Sequence, residues 1–197
     1  MNKKYVGIVA VSLALSIVFG GLLGIAKKES RQIVDSHNTA VSSQNSSLED
    51  EFWNVDLIIR GTVLGEGDTY SRDAGVPIKR KFNMQITPAT IRVDKVLYGE
   101  TDETEITYLQ HGSTDNAIES KKMVKKSEEV LLILNRTDDG TYWSYNFDDG
   151  IWRIEDGKVK SDSQSELLNS GDGKEQQLEK FISKITKAAK NKRKAND

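Results

Sequence analysis

EEVLLILNRTDDGTYWSYNFDDGIWRIEDGKVK, residues 128–160, decides the fold class. It opens on five consecutive apolar residues, Val130 to Leu134. The run is short for a helix and fits a strand buried on both faces. Three turn signals follow: Asp138-Asp139-Gly140, Asp148-Asp149-Gly150 and Asp156-Gly157. Short aromatic-rich or β-branched stretches separate them, so the spacing predicts a meander of hairpins. A mainly β domain is the expectation.

Upstream, NVDLIIRGTVLG (54–65) alternates with period two: Val55, Leu57, Ile59 and Val63 share one face, and Asn54, Asp56, Arg60 and Thr62 lie largely opposite. Gly61 within that strand marks a bulge or bend. Residues 65–81 read as a long surface loop, rich in Gly, Asp and charge. In the next strand Phe82, Met84 and Ile86 occupy even positions, whereas Ile91 and Val93 occupy odd ones. This switch predicts a bulge or bend across Thr87-Pro88-Ala89, and Asp94-Lys95 shifts the phase again. Bent, bulged strands are the means by which small barrels close. EITYLQ (105–110) is a further strand, and residues 111–127 form a second long loop ending in lysines.

Downstream, residues 161–173 read as a polar linker. Leu178, Phe181, Ile182 and Ile185 then recur at i, i+3, i+4 and i+7, the stripe of an amphipathic helix over 174–192. Asp172 and Glu175 have capping-box spacing before it. The body is therefore expected to be a barrel of five to seven strands over 51–160, closed by this helix, with a basic end at 193–197.

At the N-terminus, residues 5–26 form an uncharged, mostly apolar run of 22 residues between Lys3-Lys4 and Lys27-Lys28. At about 1.5 Å per residue such a helix crosses a hydrocarbon core of roughly 30 Å. Residues 1–28 are read as a transmembrane anchor, the alternative being a cleaved signal peptide. Residues 29–50 are a polar tether, and the C-terminal bulk is expected outside the cytoplasm. The sequence contains no cysteine, which excludes a lipid-modified N-terminal Cys, disulfides and thiolate metal sites.

Residues 49–160 carry 15 basic and 22 acidic side chains, and residues 173–197 carry 8 basic and 3 acidic. A mildly acidic body with a basic tail is not the footprint of a nucleic-acid binder.

NVDLIIRGTVLG, ATIRVDKVLYGE, EITYLQHG, EEVLLILNRTDDGTYWSYN and DGIWRIEDGKVK together resemble a class of exported Gram-positive domains. Those domains are distantly similar to the netrin-like modules of tissue metalloproteinase inhibitors, which are OB-type barrels. The resemblance covers about residues 51–160 and implies an OB-like (netrin-like) barrel. The inhibitors chelate zinc through an N-terminal Cys, so that mechanism transfers to no residue of this cysteine-free chain.

Candidate chemistry is sparse. His111 is read as a solvated loop histidine rather than a metal ligand or base, because no second histidine or cysteine is near it in sequence. Asp138, Asp139, Asp148, Asp149 and Asp156 are read as turn residues rather than a calcium site or an acidic catalytic pair. Lys121, Lys122, Lys125 and Lys126 make a compact basic loop, a candidate contact for an anionic surface. Tyr142, Trp143, Tyr145, Phe147 and Trp152 concentrate aromatics in one stretch, as hairpin-stabilising pairs or as a face that stacks on sugars or bases. No cofactor is implied. The expectation is a non-enzymatic, single-pass, extracytoplasmic binding module, with the membrane and an envelope protein or anionic polymer as partners. An inhibitor of an exported protease and an envelope hydrolase with an acidic cleft are the alternatives. If the N-terminal segment is cleaved, the protein is secreted.

Overall fold

A computed structural model describes residues 47–73, 83–169 and 175–192. The apolar run 5–26, nearly all of the tether and the basic end 193–197 lie outside the described residues. Among the described residues no helix is long and apolar enough to cross a membrane.

The chain enters through a one-turn helix α1 (Leu48–Glu51) and a 3-10 turn at Phe52–Asn54. Ser47 and Asp50 form a reciprocal capping box at its start. Nine strands follow among the described residues: β1 (Leu57–Glu66), β2 (Tyr70–Asp73), β3 (Asn83–Tyr98), β4 (Glu105–His111), β5 (Glu129–Arg136), β6 (Tyr142–Ser144), β7 (Ile151–Glu155), β8 (Lys158–Lys160) and β9 (Glu175–Gln177). A short helix α2 (Glu119–Lys122) lies between β4 and β5, and α3 (Leu178–Lys190) ends the fold.

Five strands close on themselves in the order β1-β3-β4-β6-β5 and back to β1. All pairings in this ring are antiparallel except β4 with β6, where Tyr108 and Leu109 lie beside Tyr142 and Trp143 in parallel. Alternate residues of β5 face opposite sides. Val130, Leu132 and Leu134 join Leu57, Ile59 and Tyr108 in one core, while Leu131 and Ile133 join a second core with Trp152 and Phe181. The run Val130–Leu134 is buried throughout, as a strand with two apolar faces requires.

The second core is sealed by α3. Leu178, Phe181, Ile185, Ala188 and Ala189 are buried, and Ile182 packs at its margin. Helix α3 starts at Leu178 rather than near 174, because Glu175–Gln177 extend the sheet by pairing with β8. Segment 161–169 is packed as well: Leu168 is buried, and the Ser163 hydroxyl donates to Asp149 at 2.7 Å.

Some expectations change. The loop 65–81 contains β2, which pairs with the first residues of β3, and β1 itself runs to Glu66. The phase change at Thr87-Pro88-Ala89 involves no bulge between β3 and β4, which stay in register from Ile86–His111 to Arg92–Glu105; against β1 the register slips at Leu64, opposite Thr90-Ile91. Ile86 and Thr87 are both buried instead, and the Thr87 hydroxyl donates to the Gly112 carbonyl at 3.0 Å. Pro88 sits where β3 changes partner along one edge, from β1 to β2, so its missing N–H breaks no ladder there. The second shift falls where the sequence places it, at Asp94, which is the extra residue of a bulge opposite Arg60-Gly61. Its carboxylate accepts hydrogen bonds from Arg92 at 2.8 Å and Thr62 at 2.7 Å. The Arg92 hydrogen bond holds this carboxyl below its ordinary pKa. The expected hairpin of 141–147 with 151–155 does not form. Strands β6 and β7 both pair along one edge of β5, joined by a 3-10 turn at Phe147–Gly150.

Candidate functional site

That irregular turn creates the site. Where β6 ends at Ser144, the sheet forks: β4 loses its parallel partner, and β7 departs with β8 and β9. A cavity of about 380 Å³ opens between the end of β4, helix α2 and the 147–150 turn. Tyr108, Met123 and Ile151 supply an apolar and aromatic lining, and Gln110, Lys122 and Asp148 supply polar groups.

Gln110 is 3 % exposed. Its Oε1 accepts the Val124 backbone N–H at 2.7 Å, which fixes the orientation of the amide. Its Nε2 then finds no hydrogen-bond partner among the described residues. An unmatched buried donor costs roughly 1–3 kcal/mol, so this group is destabilising unless something accepts from it.

The ionic groups are tied in place. Lys122 Nζ lies 2.6 Å from Asp148 Oδ2, and that hydrogen bond raises the lysine pKa. Glu119 Oε2 accepts the Ser113 N–H at 2.8 Å. Arg153 holds the end of α2, donating to the Lys122 and Met123 carbonyls at 3.0 Å. The Tyr108 hydroxyl is driven far above its usual pKa, first by burial and then by the Asp148 carboxylate, and so stays a donor at all ordinary pH.

An aromatic lip rises beside the cavity. The His111 ring stacks on Trp143 with centroids 4.5 Å apart and an interplanar angle of 27°. Phe147 leans on the other side of His111 at 5.1 Å and 40°. Phe147 is 66 % exposed and has φ 41°, the left-handed region that bulky residues rarely enter. Residues held in this region cluster at ligand clamps and switch regions, and here the strain presents a large apolar ring to solvent. Although His111 as a residue remains exposed, partial burial of its ring lowers its pKa.

The residues singled out from sequence divide in three ways. Among the lysines, Lys122 pairs with Asp148, and Lys125 pairs with Glu66 at 2.8 Å. Lys121 and Lys126 are exposed, with no ion pair among the described residues. The loop aspartates are held separately. Asp139 accepts from Thr137 and Thr141, which hold its carboxyl down at about 2. Asp149 accepts from Ser163 and Asn146, and Asp148 faces Lys122. Among the described residues no group of three or more His, Asp or Glu gathers to hold a metal. The aromatic stretch divides between faces: Tyr142, Tyr145 and Trp152 are buried, while Trp143 and Phe147 turn outward and meet His111. His111 is thus a stacked lip residue rather than a free loop histidine. Gln110 carried no sequence signal, since only the fold makes its amide buried and unmatched. No family model and no curated protein matches the sequence, and the chemistry of the cavity is that of its own residues.

Proposed function

We propose that this chain is a membrane-anchored, extracytoplasmic binding module without catalytic role, and that its ligand seats in the cavity beneath the His111–Trp143–Phe147 lip. The observation that carries the reading is the conjunction of an exposed, strained Phe147 with a buried, unmatched Gln110 donor in one cavity. The volume falls at the lower end of the roughly 300–1,000 Å³ typical of small-molecule sites.

An OB-type, netrin-like barrel is the fold we assign. Support comes from the five-strand ring, its parallel closing pair, and α2 set between the third and fourth ring strands. Fold type alone does not name an activity. Anchoring is supported by the apolar run 5–26 with its flanking lysines.

Two measurements test the proposal. N-terminal sequencing of the mature protein from membranes should find the segment retained; a start near Lys27 would make the module diffusible. Full-length protein should be retained by cell-envelope material, and Phe147→Ala should reduce that retention. Equal retention of both proteins, or none above an unrelated control, refutes binding through this cavity.

A further inference from the structure

The ligand class follows from what the cavity leaves unmatched, and it rests on the binding-module reading above. Gln110 Nε2 is buried without an acceptor, and Tyr108 lines the same cavity. Glu119 and Asp148 also line the cavity; beyond their bonds to the Ser113 N–H and to Lys122, their carboxylates have further capacity to accept. Met123 and Ile151 offer apolar surface, and Phe147 and His111 offer flat rings at the mouth.

Three chemistries can be weighed against this set. An anionic group would satisfy the donors, but it would face Glu119 while Lys122 is already neutralised by Asp148. A cationic amine would suit the carboxylates and rings yet leave the buried Gln110 donor unmatched. A hydroxyl donates and accepts at once, so one array of hydroxyls meets both the donors and the carboxylates. A pyranose ring carries such an array around its rim and presents C–H faces to aromatic and aliphatic side chains.

We propose that the cavity binds one uncharged sugar residue of a glycan, with the C–H face of the ring on Phe147 and a hydroxyl or acetamido oxygen accepting from Gln110 Nε2. The open mouth beside the Phe147 lip allows the rest of the glycan to leave toward solvent.

The test uses the full chain in a sugar-free zwitterionic detergent. Probes are neutral oligomers of N-acetylglucosamine and of glucose, with polyglycerol phosphate and a lysine-rich peptide as comparators. Binding is read from tryptophan fluorescence and from the side-chain amide protons of Gln110 by NMR. One neutral oligomer should bind, shift the Gln110 amide protons, and lose at least about tenfold in affinity in Phe147→Ala, the size expected for one lost stacking contact. Phe147 is mostly exposed, so this variant keeps its core. Saccharide binding that ignores Phe147→Ala, or leaves Gln110 unshifted, overturns the proposal. If only the anionic polymer or the peptide binds in a Phe147-dependent way, the sugar assignment fails and the binding-module reading stands. If no probe binds at millimolar concentration, the sugar assignment falls, and envelope retention alone then decides the broader reading.

Discussion

Truncating Phe181 to alanine tests how the two cores depend on each other. Phe181 is 1 % exposed, and its ring lies 4.2 Å from that of Trp152 at an interplanar angle of 41°. The same cluster contains Leu131 and Ile133 of β5, whose other face lines the ring interior. Removing a buried phenyl ring costs about 3–5 kcal/mol through lost transfer energy and the cavity left behind. The upper half of that range is expected, because Trp152 is fixed by its own hydrogen bond to the Asp149 carbonyl at 2.9 Å and cannot collapse into the space. For a domain of this size each kcal/mol lowers Tm by about 2–4 °C, so Phe181→Ala should lower Tm by roughly 8–20 °C. The assay is urea unfolding followed by Trp fluorescence and far-UV circular dichroism. Because β5 belongs to both cores, the two signals should move together, with a lower midpoint and an unchanged m-value. A loss below about 1 kcal/mol would refute the docking of α3. A fluorescence transition that separates from the β-sheet transition would refute the coupling through β5.

Three further outcomes follow from single residues. Gly99 has φ +80°, and an added Cβ would overlap the Asp56 carbonyl oxygen, so Gly99→Ala should destabilise by more than the ~1 kcal/mol of an average point mutation, measured by thermal unfolding. Burial first, and then Asp149, raises the Glu51 pKa above its ordinary value. A raised carboxyl contributes stability that is full below the unfolded pKa and lost as pH rises through the folded one. Glu51→Gln should therefore gain on wild type between pH 4 and pH 7, and a constant difference would contradict the assignment. For His111 the sign reverses. Its lowered pKa means the folded protein binds this proton less tightly than the unfolded chain, so stability falls as pH drops through 6.5 and below. His111→Gln should lose less than wild type between pH 7 and pH 5 in paired denaturant titrations.

What the sequence disclosed depended on the range of the interaction. The alternation of β1 from Ile59 to Val63, the double burial of Val130–Leu134 and the stripe on α3 are local patterns, and they appear in the structure; Val55 precedes the strand and lies with Ile58 in the other core, so the start of β1 is buried on both faces. The shift at Asp94 was legible because a bulge leaves a break in phase. Strands β2 and β9 were not, since polar stretches such as Tyr70–Asp73 and Glu175–Gln177 become strands only through their partners. Nor was the fork of β6 and β7, because an Asp-Asp-Gly signal marks a turn without saying whether the flanking strands pair with each other. The site depends on that fork. Its lip joins His111 to Trp143 and Phe147 through the parallel β4–β6 pair, a nonlocal contact.

The two-faced β5 also poses a problem of registration. A strand with one apolar face resists a one-residue slip, because slipping would expose that face. β5 lacks this protection: across Val130–Leu134 a slip exchanges one apolar side chain for another. Polar contacts at both ends of the strand, one with β1 and one with the residue just before it, mark the correct alignment. Glu129 pairs with Arg60 at the start, and the Arg136 N–H donates to Asp56 Oδ2 at 2.8 Å at the end. Two solvent-accessible contacts that add little to final stability thus distinguish the correct register of β5 on β1 from a slipped one. Their loss would show as misaligned, aggregation-prone product and slow refolding long before it showed in Tm.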